Sequence, residues 1–351
     1  MGGGSSNGGG TSSGGGTANG GIDLDQSANA ITFNVNSVND APTGTDKTVT
    51  TNEDTAYTLT ASDFGFGDGL AKAKGIRDTL VPRHAPTVWN AAFYKEQFWD
   101  GRAATLEAQA KGPILNPKEM GMPSEDAVLA RLRAIPEYVR RFQGAFPGGA
   151  DPLTFDNVAA AIATFERTLL SFNSPYDRFA AGELSALSAS ARRGLGLFNS
   201  VKLRCFECHG APTFANSDYK VLGVPSLEDP MQMSDDEGRF GIVKAVTNRW
   251  AFKIPTLRNV ARHPPYMHNG ALKTLDDVLD FYSKGGGLGR GYKVMIDGQD
   301  VPVPVDDKIG KYDLSSEERA DLKAFLESLT DESLLPEVPA SVPSGDPVVK
   351  R

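Results

Sequence analysis

Cysteine is almost missing from this chain: Cys205 and Cys208 are the only two in 351 residues. Two thiols leave room for one structural disulfide, a thioredoxin-like redox pair, half of a zinc site, or the attachment of one cofactor. Histidine is nearly as scarce, at four. Beyond His209, the histidine nearest to the cysteines is His263, so a zinc centre lacks donors close by. No run of eighteen apolar residues occurs, and no stretch reads as a membrane-spanning helix. Basic residues are in deficit: 36 Lys and Arg against 44 Asp and Glu give a net charge of −8. That balance argues against nucleic acid and anionic membrane as partners. An export signal is also not visible, for the chain opens Met1-Gly2-Gly3-Gly4-Ser5 with no apolar core behind it.

What is present starts with the cysteines themselves. They form Cys205-Phe206-Glu207-Cys208-His209, the C-x-x-C-H pattern that attaches a c-type haem. Two thiols at that spacing add across the two porphyrin vinyl groups, and the next residue, His209, brings an imidazole under the iron. A thioredoxin-like pair would want a strand-to-helix setting without the trailing histidine. Covalent haem is attached outside the bacterial cytoplasm, so a periplasmic or other extracytoplasmic location is expected. The start of this chain is then expected to be either not the native start or interior to a larger exported protein.

In chain order, residues 1–21 are Gly, Ser, Asn and Thr and read as a flexible linker. Residues 22–66 read as three short strands: the alternating Ala30 to Asn36, then Thr48 to Thr51, then Ala56 to Thr60. From about residue 67 the pattern turns helical. Ser124 caps a helix with Val128, Leu129, Leu132 and Ile135 on its apolar face. A second helix is predicted from about Phe155 to Phe172, with Val158, Ile162, Phe165 and Leu169 toward the core. A third, from about Ser188 to Ser200, delivers the chain to Cys205. Thr274 caps a short helix with Val278, Leu279, Phe281 and Tyr282, closed by Gly285 to Gly287. The last helix has a capping box from Ser315 to Glu318 and a stripe of Leu322, Phe325, Leu326 and Leu329. It is expected to fold back on the haem domain. Residues 336–351 read as a tail.

The segments Arg83 to Gly121 and Cys205 to Gly287 carry several motifs in one order: Phe98-Trp99-Asp100-Gly101-Arg102, Asn116-Pro117-Lys118-Glu119-Met120-Gly121, C-x-x-C-H, and His263-Pro264-Pro265-Tyr266-Met267-His268-Asn269-Gly270. Together they resemble the bacterial di-haem cytochrome c peroxidase and MauG family over roughly residues 65–335. The resemblance implies a mainly α protein, with a cytochrome c-like haem domain at 186–335 and the remainder of a second such domain at 67–185. The stretch 22–66 resembles part of a cadherin-like adhesin repeat, with Val38-Asn39-Asp40-Ala41-Pro42 and Asn52-Glu53-Asp54-Thr55 as its joint. Acidic residues at such joints hold calcium, and a solvated loop is the plainer reading of Asp40 and Asp54.

By the same resemblance, Cys205, Cys208 and His209 belong to the electron-receiving haem. Trp99 matches the tryptophan between the two haems. Gln109 and Glu119 match the polar residues over the peroxidatic haem, where a carboxyl group takes the peroxide proton and returns it to the leaving oxygen. Read singly, Trp99 is a core residue, Gln109 a solvated helix position and Glu119 a surface charge. Tyr282 stands where family members place the second axial ligand of the C-terminal haem. MauG-like members have tyrosine there and other peroxidases methionine. Anionic tyrosinate stabilises ferric iron and lowers the potential. Met267 is the rival ligand, with His268 or an open position behind it. The implied partners are hydrogen peroxide and a small electron donor, a cytochrome c or a cupredoxin.

The match departs in three places. Family members carry two C-x-x-C-H motifs and this chain carries one. The first would precede Phe66-Gly67-Asp68-Gly69, where the repeat-like residues stand instead. Ile76 stands at the position of a switchable distal histidine. His84 replaces the asparagine whose side chain, with the carbonyls at His263 and Pro265, holds calcium between the haems. Calcium prefers oxygen, so His84 disfavours it. Three readings follow: a peroxidase-type oxidoreductase, a mono-haem electron carrier or sensor, and a fusion remnant that binds haem without turnover.

Overall fold

An irregular stretch, not a helix, opens the computed structural model, which describes residues 67–148, 150–333 and 339–345. The three predicted strands within 22–66 lie outside the described residues. From 67 to 105 the chain forms only short 3-10 turns at Ile76–Asp78 and Ala91–Phe93. Arg77, Asp78, Asn90 and Phe98 all have positive φ there, and such residues interrupt any helical ladder. The expectation of helix from residue 67 is therefore corrected: helix begins at Leu106.

Four helices then build the first half: α1 (Leu106–Leu115), α2 (Glu125–Arg133), α3 (Pro136–Ala145) and α4 (Phe155–Thr168). Thr105, Ser124 and Thr154 cap three of them by accepting a backbone N–H in the first turn. Ile135 falls outside α2, because Pro136 starts a new helix at its first position. α4 ends at Thr168, short of Phe172. The next residues are drawn away by Asn90, whose side chain accepts from Ser171 N at 2.9 Å and donates to Ser171 O at 3.2 Å. The apolar faces meet in one cluster with Leu132, Tyr138, Phe142, Leu153, Phe155 and Val158 at its centre.

The second half follows with α5 (Pro175–Ala180), α6 (Ala189–Phe198), β1 (Tyr219–Val221), α7 (Phe240–Val243), β2 (Ala251–Lys253), α8 (Leu275–Ser283), α9 (Gly286–Gly289), β3 (Lys293–Ile296), β4 (Gln299–Pro302) and α10 (Ser316–Glu327). β1 pairs antiparallel with β2, and β3 with β4. Ser188, Thr274 and Ser315 cap α6, α8 and α10, the last two with full capping boxes. As its stripe predicts, α10 folds back and packs on α6. The Phe325 ring lies 5.0 Å from Phe198 and 6.0 Å from Phe214. These residues, with Leu203, Leu275, Leu279, Leu322 and Leu329, form the core under the cysteine motif. Val342 is buried, so this part of the predicted tail packs. Among the described residues no helix is long and apolar enough to cross a membrane.

Candidate haem-binding site

Arg204 adopts the left-handed conformation and turns the chain out of the α6 exit into a 3-10 turn over Cys205–Glu207. Cys208 N and His209 N both donate back to the carbonyl of Cys205, at 3.2 and 2.9 Å. This tight coil puts Cys205, Cys208 and His209 on the wall of one cavity of about 240 Å³. Phe206 turns outward and is exposed. Glu207 also turns away, held by Arg204 at 2.6 Å and Lys308 at 3.1 Å.

Both cysteines are free thiols. Burial pushes the Cys205 thiol up to about 12 and raises Cys208 as well. Redox pairs of the thioredoxin type need the opposite shift, because the thiolate is the nucleophile. No group of three metal-binding side chains occurs among the described residues, which tells against a zinc site. Protonated thiols beside an apolar cavity do suit addition to porphyrin vinyl groups. His209 Nδ1 donates to the Phe214 carbonyl at 3.0 Å. A carbonyl can only accept, so Nδ1 carries the proton and Nε2 keeps its lone pair. Burial, opposed by that hydrogen bond, lowers the pKa of the ring and keeps it neutral. A neutral imidazole with one nitrogen fixed by a carbonyl is the state an iron ligand requires.

Tyr282, from α8, lines the same cavity, and so does Met267. Burial raises the Tyr282 hydroxyl, and the two cysteines add to the shift. Met267, at φ +73°, packs against the cluster of Val224, Leu272 and Phe281, as does Tyr282. The far wall comes from the first half of the chain and from β2. Trp99 lines it and donates through Nε1 to the His84 carbonyl at 2.9 Å. Its own carbonyl accepts from Lys253 N at 2.8 Å. The structure thus brings Cys205, Cys208, His209, Tyr282, Met267 and Trp99 to one cavity.

Gln109 and Glu119 do not line it. Gln109 lies on α1, half-buried, and Glu119 in the loop after α1. Glu119 Oε2 accepts from Asn116 Nδ2 at 2.6 Å, and its carbonyl accepts from Ile76 N at 2.8 Å. Ile76 and Glu119 therefore meet in the first half, apart from the cysteine cavity. His84 is buried, and its Nδ1 donates to the Leu70 carbonyl at 2.7 Å. His263 Nε2 donates to Ala85 O at 2.9 Å, and the two rings lie 4.8 Å apart. At the calcium position His84 offers ring nitrogen where calcium prefers oxygen, and its Nε2 has no hydrogen-bond partner among the described residues.

His268, the candidate ligand behind Met267, also lines the cavity, as do two cations that carried no role in the sequence reading. His268 stacks on Phe252 at 3.6 Å, and burial pushes its ring down to about 3. Arg258, fully buried, forks onto Asp177 at 2.6 and 2.7 Å and donates to Pro212 O. Lys253 is also buried. Lys253 and Arg258 stand five residues apart in sequence, but nothing in that spacing says that both line the same cavity.

Residues 61–185 match the family model of di-haem cytochrome c peroxidases. The chain is similar to the methylamine utilization protein MauG of Methylorubrum extorquens, with 39% identity over 278 residues, covering 78% of this chain and 73% of that protein. It is also similar to the cytochrome c551 peroxidase of Pseudomonas aeruginosa, with 40% identity over 216 residues, covering 61% of this chain and 62% of the relative. Among solved structures, a MauG-like protein associated with microbial copper homeostasis superimposes with a TM-score of 0.65 at 31% identity, over 78% of this chain and 82% of that one.

Proposed function

This chain belongs to the di-haem cytochrome c peroxidase family, and from that premise we propose that it is a c-type haem oxidoreductase in which Cys205 and Cys208 carry the haem. His209 and Tyr282 would be the side chains that hold its iron. Trp99 provides the route for electrons toward the first half. The observation that carries this reading is the shared cavity: two protonated thiols, an imidazole lone pair, a buried phenol and an indole face one space.

When bound, haem supplies one-electron chemistry at iron. The protein's own groups do the rest. The Phe214 carbonyl fixes the tautomer and plane of His209. The apolar wall from Leu203, Leu279 and Leu326 excludes water. In the full reaction, one hydrogen peroxide takes two electrons and two protons and gives two waters. The electrons come from a small cytochrome c or cupredoxin. Glu119, held by Asn116, is the group we assign to receive and return the peroxide proton, with Gln109 of α1 as the second polar group. We place the protein outside the cytoplasm, where covalent haem attachment takes place.

A second reading rests on a different observation. The sequence has one C-x-x-C-H, and Gln109 and Glu119 lie away from the cavity that motif builds. On that reading the chain is a mono-haem electron carrier, or a fusion remnant in which repeat-like residues stand where the first haem motif would be. The experiment is a pyridine haemochrome assay on protein matured in a periplasm, followed by steady-state peroxidase kinetics. A haem-to-protein ratio near two with turnover well above free haem supports the peroxidase. A ratio near one with reversible reduction and no turnover overturns it in favour of the carrier. A ratio near zero overturns both.

A further inference from the structure

Five cationic side chains line the cysteine cavity: Arg204, Lys220, Lys253, Arg258 and Lys308. Four of them meet a carboxylate. Arg204 pairs with Glu207 at 2.6 Å and Lys220 with Asp306 at 2.9 Å. Arg258 pairs with Asp177 at 2.6 Å and Lys308 with Glu207 at 3.1 Å. Lys253 is the exception among the described residues. Its Nζ donates to the backbone carbonyl of Glu96 at 3.1 Å and lies 3.7 Å from the centre of the Tyr94 ring. The two nearest acidic residues are committed elsewhere. Glu96 holds Arg239 at 2.9 Å and accepts from the Tyr219 hydroxyl at 2.7 Å. Asp100 holds Arg83 at 2.5 Å and Arg102 at 3.1 Å.

An ammonium group has three N–H donors, and one carbonyl with one aromatic face leaves that capacity unfilled. Lys253 is only 7% exposed, so water does little to make up the difference. A buried charge without a counter-ion is costly, and burial accordingly pushes the Lys253 ammonium down to about 7, against the pull of Asp100 and Glu96. The group that would relieve this cost has to be an anion brought into the cavity. The porphyrin expected at Cys205 and Cys208 carries two carboxylates.

We propose that Lys253 is a positioning residue whose ammonium pairs with a carboxylate of the haem held at Cys205, Cys208 and His209. The inference rests on the haem reading given above and adds to it the residue that sets the haem's in-plane orientation and its local charge. Lys253 acts at both ends: its side chain faces the cavity and its backbone N–H holds the Trp99 carbonyl at 2.8 Å. One residue therefore fixes the haem edge and the indole relative to each other. A positive charge at the haem edge favours ferrous over ferric iron, so it raises the potential.

The test compares the holoprotein with K253M, K253R and K220M. Resonance Raman reads the propionate-bending band, spectroelectrochemistry reads the potential, and pyridine haemochrome reads the haem content. In K253M the propionate band is expected to move and the potential to fall at unchanged haem content. K253R is expected to restore both. K220M is expected to leave the propionate band in place, because its ammonium is already paired with Asp306. An unmoved band in fully loaded K253M overturns the proposal while the haem reading stands. An equal shift of the propionate band in K220M and K253M also overturns it, because the effect is then one of overall charge. A wild-type protein without haem overturns the haem reading itself. If K253M fails to mature, K253Q takes its place against K253R.

Discussion

At the scale of single residues, the chemistry depends on which lone pairs and hydroxyls face the cavity. Tyr282 and Met267 both line it, and they make opposite statements about potential. Anionic oxygen stabilises ferric iron, and a thioether stabilises ferrous. With Tyr282 as ligand, Tyr282→Met is expected to raise the reduction potential, and Met267→Leu to leave it unchanged, in a spectroelectrochemical titration. A potential that follows Met267 instead would reverse the assignment. In the first half, Glu166 is buried on α4, and its Oε2 has no hydrogen-bond partner among the described residues. Burial pushes its carboxyl from 4.5 up to about 7, with Arg167 opposing and Glu107 adding. Between those values the native state holds a proton that the unfolded chain has released. Stability is therefore complete below about pH 4.5 and declines as pH rises toward 7, by up to roughly 3 kcal/mol. Glu166→Gln removes that decline. Thermal melts at pH 5 and pH 8 should show a larger difference for wild type than for E166Q. Parallel differences would mean that the carboxyl finds a partner.

At the scale of elements, the contact of α6 with α10 decides how the cysteine turn is carried. Gly194 allows it, because a Cβ added there would sit 2.0 Å from the Asp321 carbonyl oxygen. Backbone cannot yield as a side-chain tip can, so the helices would have to separate. Asp321 also accepts from Ser190 Oγ at 2.5 Å and from both arms of Arg193 at 2.7 Å, which fixes the register of the pair. Gly194→Ala is expected to destabilise the fold by about 1–3 kcal/mol in denaturant unfolding, despite the better helix propensity of alanine. A change within about 0.5 kcal/mol would show that the helices part freely. The helix ends were largely legible beforehand, because Ser124, Thr274 and Ser315 are local signals. The end of α4 was not, because Asn90, far away in sequence, takes the hydrogen bonds of Ser171.

At the scale of the whole molecule, the two halves are joined by charge as well as by the cavity wall. Arg83 reaches from the first half to Asp236 in the second, with Nε and Nη2 at 2.7 and 2.8 Å, while its third nitrogen holds Asp100. Burial alone would raise the Asp236 carboxyl, and Arg83 holds it below its ordinary value. Arg239 runs the other way, from the second half to Glu96 and to the Asp100 carbonyl. Asp100, the residue after Trp99, ties this network to the cavity wall. Arg83→Met strands Asp236 as a half-buried carboxylate, takes one partner from the buried Asp100, and is expected to cost on the order of 2 kcal/mol. Because the pairs are shielded from solvent, that loss should barely change between low and high salt in chemical denaturation. A loss that disappears in salt would assign the network to the surface.

Sequence by itself determined the family, the expectation of a c-type haem and the helix caps, because each is written in short motifs whose residues are neighbours along the chain. Cys205, Cys208 and His209 fall within one turn, and a capping box spans four residues. Tertiary structure alone decided what faces what. Trp99, Lys253 and Tyr282 lie far apart in sequence and meet only because β2 docks on the Trp99 carbonyl and α8 closes the other wall. The chain also decides burial in three dimensions, and burial holds the thiols protonated and His209 neutral, while the fold leaves Lys253 the one cavity cation, among the described residues, without a carboxylate.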